Sequence, residues 1–95
     1  MRLTTAQIET IRRATHQSFG ADTSVWLFGS RIDDAKRGGD VDLYVEPTRE
    51  NTLTEELRCK VVIEDDLDLR VDLIVKEPGK DKPIYQLAKT QGIRL

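Results

Sequence analysis

The residues with the clearest chemical potential are two carboxylates one position apart, Asp40 and Asp42. Side chains two apart on a strand share a face, so a strand here would point both carboxylates the same way. The apolar residues that alternate with them would then enter a core: Val41, Leu43 and Val45. Like charges held side by side are unfavourable unless a cation lies between them. The pair therefore predicts a Mg²⁺ site, because Mg²⁺ prefers carboxylate oxygens and usually joins them to substrate phosphates.

A small pair, Gly29-Ser30, precedes these carboxylates and follows an apolar run. Glycine lets the backbone approach a ligand closely, and the Ser30 hydroxyl can donate a hydrogen bond to a phosphate oxygen. The loop that follows carries three basic residues: Arg31, Lys36 and Arg37. Such a loop suits a metal-bound polyphosphate. The alternative is a solvated loop in which Asp33 and Asp34 offset the positive charge, since a Gly-Ser pair alone is only a turn signal.

A third carboxylate, Asp72, interrupts an apolar run that ends at Val75. An acid in such a strand is costly unless it is exposed, paired or metal-bound. Between Asp42 and Asp72 the pattern predicts a strand, then a helix over residues 51–66, then a strand over residues 67–75. If the two strands are parallel, this crossover unit places both acids in one sheet.

The remaining segments predict two more helices and a buried strand. Thr4 or Thr5 can cap a first helix that Gly20 ends. Residues 25–28 form a short apolar strand, and residues 82–89 a closing helix. In the middle helix, apolar residues recur four apart, and Asn51, Thr52 or Thr54 can cap its start; the recurring residues are Leu53, Leu57 and Val61.

The composition limits the classes of function. A chain of 95 residues fits a single domain over 1–95. A net charge of −2 argues against nucleic acid as an electrostatically captured partner. No apolar run approaches the roughly 20 residues of a membrane span, and the first residues lack a signal-peptide pattern. With one cysteine and one histidine, neither an internal disulfide nor a Cys/His zinc site is possible, and a cytoplasmic location is expected.

Taken together, Gly29-Ser30, the paired acids and Asp72 resemble the nucleotidyltransferases of the DNA polymerase β superfamily. The likeness is greatest to the minimal nucleotidyltransferase (MNT) domains, and it covers residues 20–76 most strongly. The resemblance implies an α/β (α+β) fold in which a small mixed sheet is flanked by helices. Many members have Ser before the first acid; this chain has Gly39, so a hydroxyl contact from that position is absent.

The resemblance also implies roles for individual residues. Asp40 and Asp42 would hold Mg²⁺ and the triphosphate of ATP, and Asp72 would help to hold a second Mg²⁺ and activate the attacking hydroxyl. Two metal ions stabilise both the attacking and the leaving oxygen of an in-line displacement. The nucleotide would be gripped by four residues near the turn: Gly29, Ser30, Arg31 and Arg37.

Members this small resemble the MNT half of toxin–antitoxin pairs whose partner is a helical HEPN ribonuclease. That likeness implies an antitoxin that transfers AMP from ATP to a partner hydroxyl, most simply a tyrosine. Two alternatives stay open. One is a non-catalytic antitoxin that neutralises its partner by binding, and the other is a nucleotidyltransferase for a small molecule such as an antibiotic.

Overall fold

The computed structural model describes residues 3–29 and 41–95. In this part of the chain three helices and four strands follow one another in this order: α1 (Thr5–Phe19), β1 (Ser24–Phe28), β2 (Val41–Glu46), α2 (Leu53–Leu67), β3 (Val71–Val75), α3 (Pro83–Gln91) and β4 (Ile93–Arg94). The strands form one sheet in the order β3-β2-β1-β4. β1 is antiparallel to β2 and β4, whereas β2 and β3 are parallel. The expected mixed sheet flanked by helices is confirmed, and the two strands of the crossover unit, which the sequence left open, are parallel.

The main core lies between one face of the sheet and helices α1 and α2. Alternate residues of the three longer strands point into it, as a period of two requires. Its buried members come from every one of these elements: Ile11, Ala14, Phe19, Val25, Leu27, Val41, Leu43, Val45, Cys59, Ile63, Leu67, Val71 and Val75. The predicted inward direction of Val41, Leu43 and Val45 is therefore confirmed.

Helix α3 covers part of the opposite face. Tyr44 of β2 is fully buried there and stacks on Tyr85 of α3, with ring centroids 5.3 Å apart. Trp26 packs against the same cluster at 5.6 Å from Tyr44. Aromatic pairs at such separations stabilise beyond their buried area. This aromatic cluster fixes α3 over one end of the face.

Both long helices begin with reciprocal caps. The Thr4 hydroxyl oxygen accepts a hydrogen bond from the Gln7 N–H, and the Thr4 N–H donates to Gln7 Oε1 in return. Thr52 and Glu55 repeat this arrangement at the start of α2. Each capping box satisfies two N–H groups that lack helical partners. Thr4 and Thr52 are thus the caps among the candidates that the sequence offers.

The start of the third strand differs from the sequence-based prediction. The third strand begins at Val71 rather than at residue 67, because α2 extends to Leu67 and Asp68 ends it in the left-handed conformation (φ 53°). Cys59 is fully buried, and burial raises the pKa of its thiol. The apolar row of α2 points outward; its members are Leu53, Leu57 and Val61, exposed by 68%, 53% and 52%.

Among the described residues no helix is long and apolar enough to cross a membrane.

A charged network ties α3 to the sheet. The Tyr44 hydroxyl donates to Glu46 Oε2 at 2.7 Å, and Lys89 Nζ lies 3.0 Å from the same oxygen. Burial acts to raise the pKa of Glu46, but the hydrogen bonds and the Lys89 charge outweigh it and hold that pKa below its usual value. Burial and the neighbouring Glu46 raise the pKa of Tyr44, so its hydroxyl stays a donor.

We predict that Glu46→Gln lowers the free energy of unfolding at pH 7 by about 1 kcal/mol, since it weakens charge-assisted hydrogen bonds. Because the pKa of Glu46 is lower in the folded state than in the unfolded state, where it is about 4.3, the ionised carboxylate stabilises the fold at pH values above about 4.3. This stabilisation is lost as the pH falls through the folded-state pKa. The difference between variant and wild type should therefore shrink below about pH 4 in urea unfolding. Glu9→Gln is the control, because the Glu9–Arg12 pair is exposed and 3.9 Å long. A constant difference from pH 7 to pH 3 would contradict the assignment.

Candidate active site

Two of the three predicted acids lie side by side. Asp42 on β2 and Asp72 on β3 are Cα partners in the parallel pair. Neighbouring strands are about 4.8 Å apart, and partners in register point to the same face. Asp42 is half-buried and Asp72 is exposed. The juxtaposition that the crossover unit predicted is therefore present for these two residues.

The acids lie on the sheet face that α3 covers only in part. Tyr44 and Ile74 follow the two acids by two residues and belong to the aromatic cluster beneath α3. The acids occupy the end of the face beyond this cluster. Since the residues before and after each acid point into the main core, both carboxylates are directed away from α1 and α2.

Gly29 fits closely against Asp42. Its φ is 78°, in the region that side chains rarely adopt, and a Cβ at this position would overlap the Asp42 carboxylate. Both the backbone conformation and the space thus require glycine. The group that lies against Gly29 is the carboxylate of a predicted metal ligand; the approach of a phosphate ligand to Gly29 stays a prediction.

The two acids line an open cleft of about 460 Å³, within the range of small-molecule sites. This acidic cleft is lined by Phe28, Asp42, Leu53, Glu56, Leu57, Lys60, Asp72, Leu73 and Ile74. Three of these side chains carry potential for binding that the sequence did not single out: Phe28, Glu56 and Lys60. Phe28 is the last residue of β1. Spacing along α2 gave no signal for Glu56 and Lys60, because the packing of α2 beside β3 is what brings these two side chains to the acids.

Glu56 and Lys60 give the α2 side of the cleft both signs of charge. Glu56 is half-buried and accepts a hydrogen bond from Asn51 Nδ2 at 3.1 Å. Burial is the main cause that raises its pKa, and the charge of Glu77 adds to it, although the Asn51 hydrogen bond opposes. The Lys60 ammonium offers a phosphate a positive partner in the same cleft.

The chemistry of the cleft fits a magnesium ion. Asp42 and Asp72 are hard oxygen donors on one face, and a divalent cation between them would relieve the repulsion of neighbouring carboxylates. Within residues 3–29 and 41–95, no three His, Cys, Asp or Glu side chains form a potential metal site. The third predicted ligand, Asp40, lies outside this part of the chain. Three predicted nucleotide-binding residues also lie outside it: Ser30, Arg31 and Arg37.

Comparison with family models matches residues 8–93 to the nucleotidyltransferase domain. This match contains Gly29, both described acids and every strand except the last residue of β4. The chain belongs to the nucleotidyltransferase domain family. A search of curated proteins found no match. Membership supports a transferase that moves nucleotidyl groups and agrees with the likeness to the DNA polymerase β superfamily.

We predict that Gly29→Ala reduces nucleotidyl transfer at least about tenfold, because the new Cβ displaces the Asp42 carboxylate from its position. Gly79→Ala is a matched control: its φ is 75°, but nothing lies within 4 Å of the added Cβ. Both variants should lose about 1–2 kcal/mol of stability from backbone strain, measured by urea unfolding. Only Gly29→Ala should lose activity; equal activities for the two variants would refute the role of the close contact.

Proposed function

We propose that this nucleotidyltransferase domain transfers AMP from ATP to a hydroxyl group, that of a tyrosine, on a HEPN-type toxin. The protein would act as an antitoxin and would require Mg²⁺. The observation that carries the proposal is the pairing of Asp42 with Asp72 in an open cleft next to Gly29. Two adjacent carboxylates suit phosphoryl chemistry, in which positioning and charge stabilisation provide most of the catalysis.

Each acid has a separate task in this proposal. Asp42, together with Asp40, would hold Mg²⁺ against the triphosphate. Asp72 would complete the ligand set and face the acceptor, which its exposed position at the edge strand allows. Bound Mg²⁺ supplies charge neutralisation for the reacting phosphate and for the departing pyrophosphate.

The proposed transfer is a single displacement. The acceptor oxygen attacks the α-phosphorus of ATP and forms an ester bond to it. The bond from that phosphorus to the bridging oxygen breaks, and pyrophosphate leaves with the bonding electrons. The hydroxyl proton passes to the Asp72 carboxylate and then to water. A general base in such a position contributes typically about 10²–10⁴-fold.

The cleft also offers partners for the phosphates. The backbone at Gly29 can come close to the triphosphate, and Lys60 can donate to a phosphate oxygen from the α2 side. Ser30, Arg31 and Arg37 complete the proposed nucleotide grip. Attached AMP adds bulk and negative charge, which would block an RNA-cutting site on the partner.

A binding antitoxin without catalysis is the second candidate, and one observation favours it. Leu53, Leu57 and Val61 form an exposed apolar row on α2. Apolar groups exposed together commonly mark an interaction surface. In this alternative the row, and not the acids, would neutralise the partner.

We predict that Asp42→Asn and Asp72→Asn each lower transfer by about 10²-fold or more, since each variant keeps the shape of the side chain but removes its charge. The assay mixes the protein with the product of the neighbouring gene, ATP and Mg²⁺, and measures the mass of that product. Wild type should add one or more AMP units. Asp65→Asn is the matched control, because Asp65 is an exposed acid at the far end of α2.

Two outcomes separate the candidates. If Asp42→Asn neither transfers AMP to the toxin nor neutralises its toxicity, the result supports the AMP-transferring antitoxin. Full neutralisation by the same variant, with no AMP added by wild type, would instead establish the binding antitoxin.

A further inference from the structure

The outer edge of β3 is left unused by the proposed reaction. β3 is the last strand of the sheet, and it pairs with β2 on one side only. The carbonyl of Arg70 and the N–H of Lys76 bond to β2 at 2.8 and 2.9 Å. Main-chain groups alternate in direction along a strand, so the even-numbered residues face β2. Leu73 and Val75 therefore direct their N–H and C=O groups away from the sheet.

This free edge has defined ends. The Val71 N–H, which also points outward, donates to the Glu64 carboxylate at 2.9 Å. Beyond Val75, Pro78 lies in the turn that leads away from the strand. Within residues 3–29 and 41–95, no strand pairs with this edge. The available stretch thus offers two outward N–H groups, of Leu73 and Val75, and three outward C=O groups, of Val71, Leu73 and Val75, enough for a short added strand.

The free edge lies in the acidic cleft. Leu73 lines the cleft together with Leu53 and Leu57, the exposed leucines at the start of the apolar row of α2. The same cleft contains Asp42 and Asp72 on the other side of the strand. A ligand bound along the edge of β3 would therefore contact apolar side chains on one face and the acids on the other.

We propose that the acceptor docks as an extended polypeptide segment that adds a fifth strand to the edge of β3. This inference rests on the proposed transfer to a protein hydroxyl. An extended backbone supplies N–H and C=O groups in the alternating order that the edge requires. Because side chains of the added strand alternate between faces, a residue on the Asp72 face has neighbours on the Leu57 face. The acceptor hydroxyl residue accordingly lies between two apolar residues in an extended segment.

Hydrogen exchange tests the docking separately from the chemistry. The experiment uses the full chain with Asp42→Asn, the product of the neighbouring gene as the candidate partner, and no nucleotide. On complex formation, the Leu73 and Val75 amides should exchange at least about tenfold more slowly, because they become hydrogen-bonded. Ile74 serves as an internal control, since its amide already faces β2. A complex in which the Leu73 and Val75 amides exchange as in the free protein overturns the proposal.

Two pairs of variants test the same surface by affinity. Leu73→Pro removes an outward N–H without removing a bond to β2, whereas Leu73→Ala keeps that N–H. Leu57→Glu places a charge in the apolar side of the cleft, and Leu87→Glu does the same to an exposed leucine of α3 outside it. The first member of each pair should weaken the complex about tenfold relative to the second. If Leu73→Pro does not fold, the exchange of the Leu73 and Val75 amides decides. Equal affinities of Leu57→Glu and Leu87→Glu also overturn the proposal.

Failure of the docking and failure of the proposed function give different results. Protection of the β3 edge without AMP transfer by wild type supports the docking and refutes the enzyme. Transfer of AMP to a tyrosine within a helix of the partner, with no protection of the β3 edge, supports the enzyme and refutes the docking. Pairing of two copies through β3, detected by sedimentation as a dimer that the partner does not displace, also overturns the docking.

Discussion

The candidate site depends on the parallel register between β2 and β3. This register sets Asp42 beside Asp72, and a slip by one residue would turn one of the carboxylates into the main core. The register is held by the apolar residues that alternate with the acids, because Val41 and Val71 are both buried against α1 and α2. The repulsion between neighbouring carboxylates is thus imposed by hydrophobic packing on the opposite face of the sheet. A cation bound between the two carboxylates would be attracted by both and would offset their mutual repulsion.

The acids are accessible because α3 covers only one end of the sheet face on which they lie. Helix α3 covers Tyr44 at one end through stacking with Tyr85, and the acids remain at the other end. Gly29, which directly follows β1, lies against the Asp42 carboxylate, and a Cβ at this position would overlap that carboxylate. Helix α2 packs one of its sides into the main core, and from another side its Lys60 lines the cleft that contains the acids. The site is therefore assembled from both layers of the fold, and a phosphate between them would meet groups from each.

Much of this arrangement was predictable from local pattern. Alternation predicted β2 and the inward direction of its valines, and the capping residues gave the starts of α1 and α2. The orientation of α2 was not predictable from periodicity, because the helix carries two apolar rows at the same spacing. The row that contains Cys59, Ile63 and Leu67 is the buried one, and the row that contains Leu57 is exposed. β4, with two residues, is too short to show a pattern, and Lys60 reaches the cleft only through tertiary packing.

The most direct test of the central claim is whether Asp42 and Asp72 share one metal–nucleotide site. Mn²⁺ with a non-hydrolysable ATP analogue, added to isotopically labelled protein, would broaden the NMR signals of nearby nuclei. We expect the signals of Gly29, Asp42 and Asp72 to broaden together at the lowest Mn²⁺ concentration, and Asp42→Asn to abolish this effect. Broadening centred on the acidic end of α2 at Asp65, with the three signals unchanged, would contradict this claim.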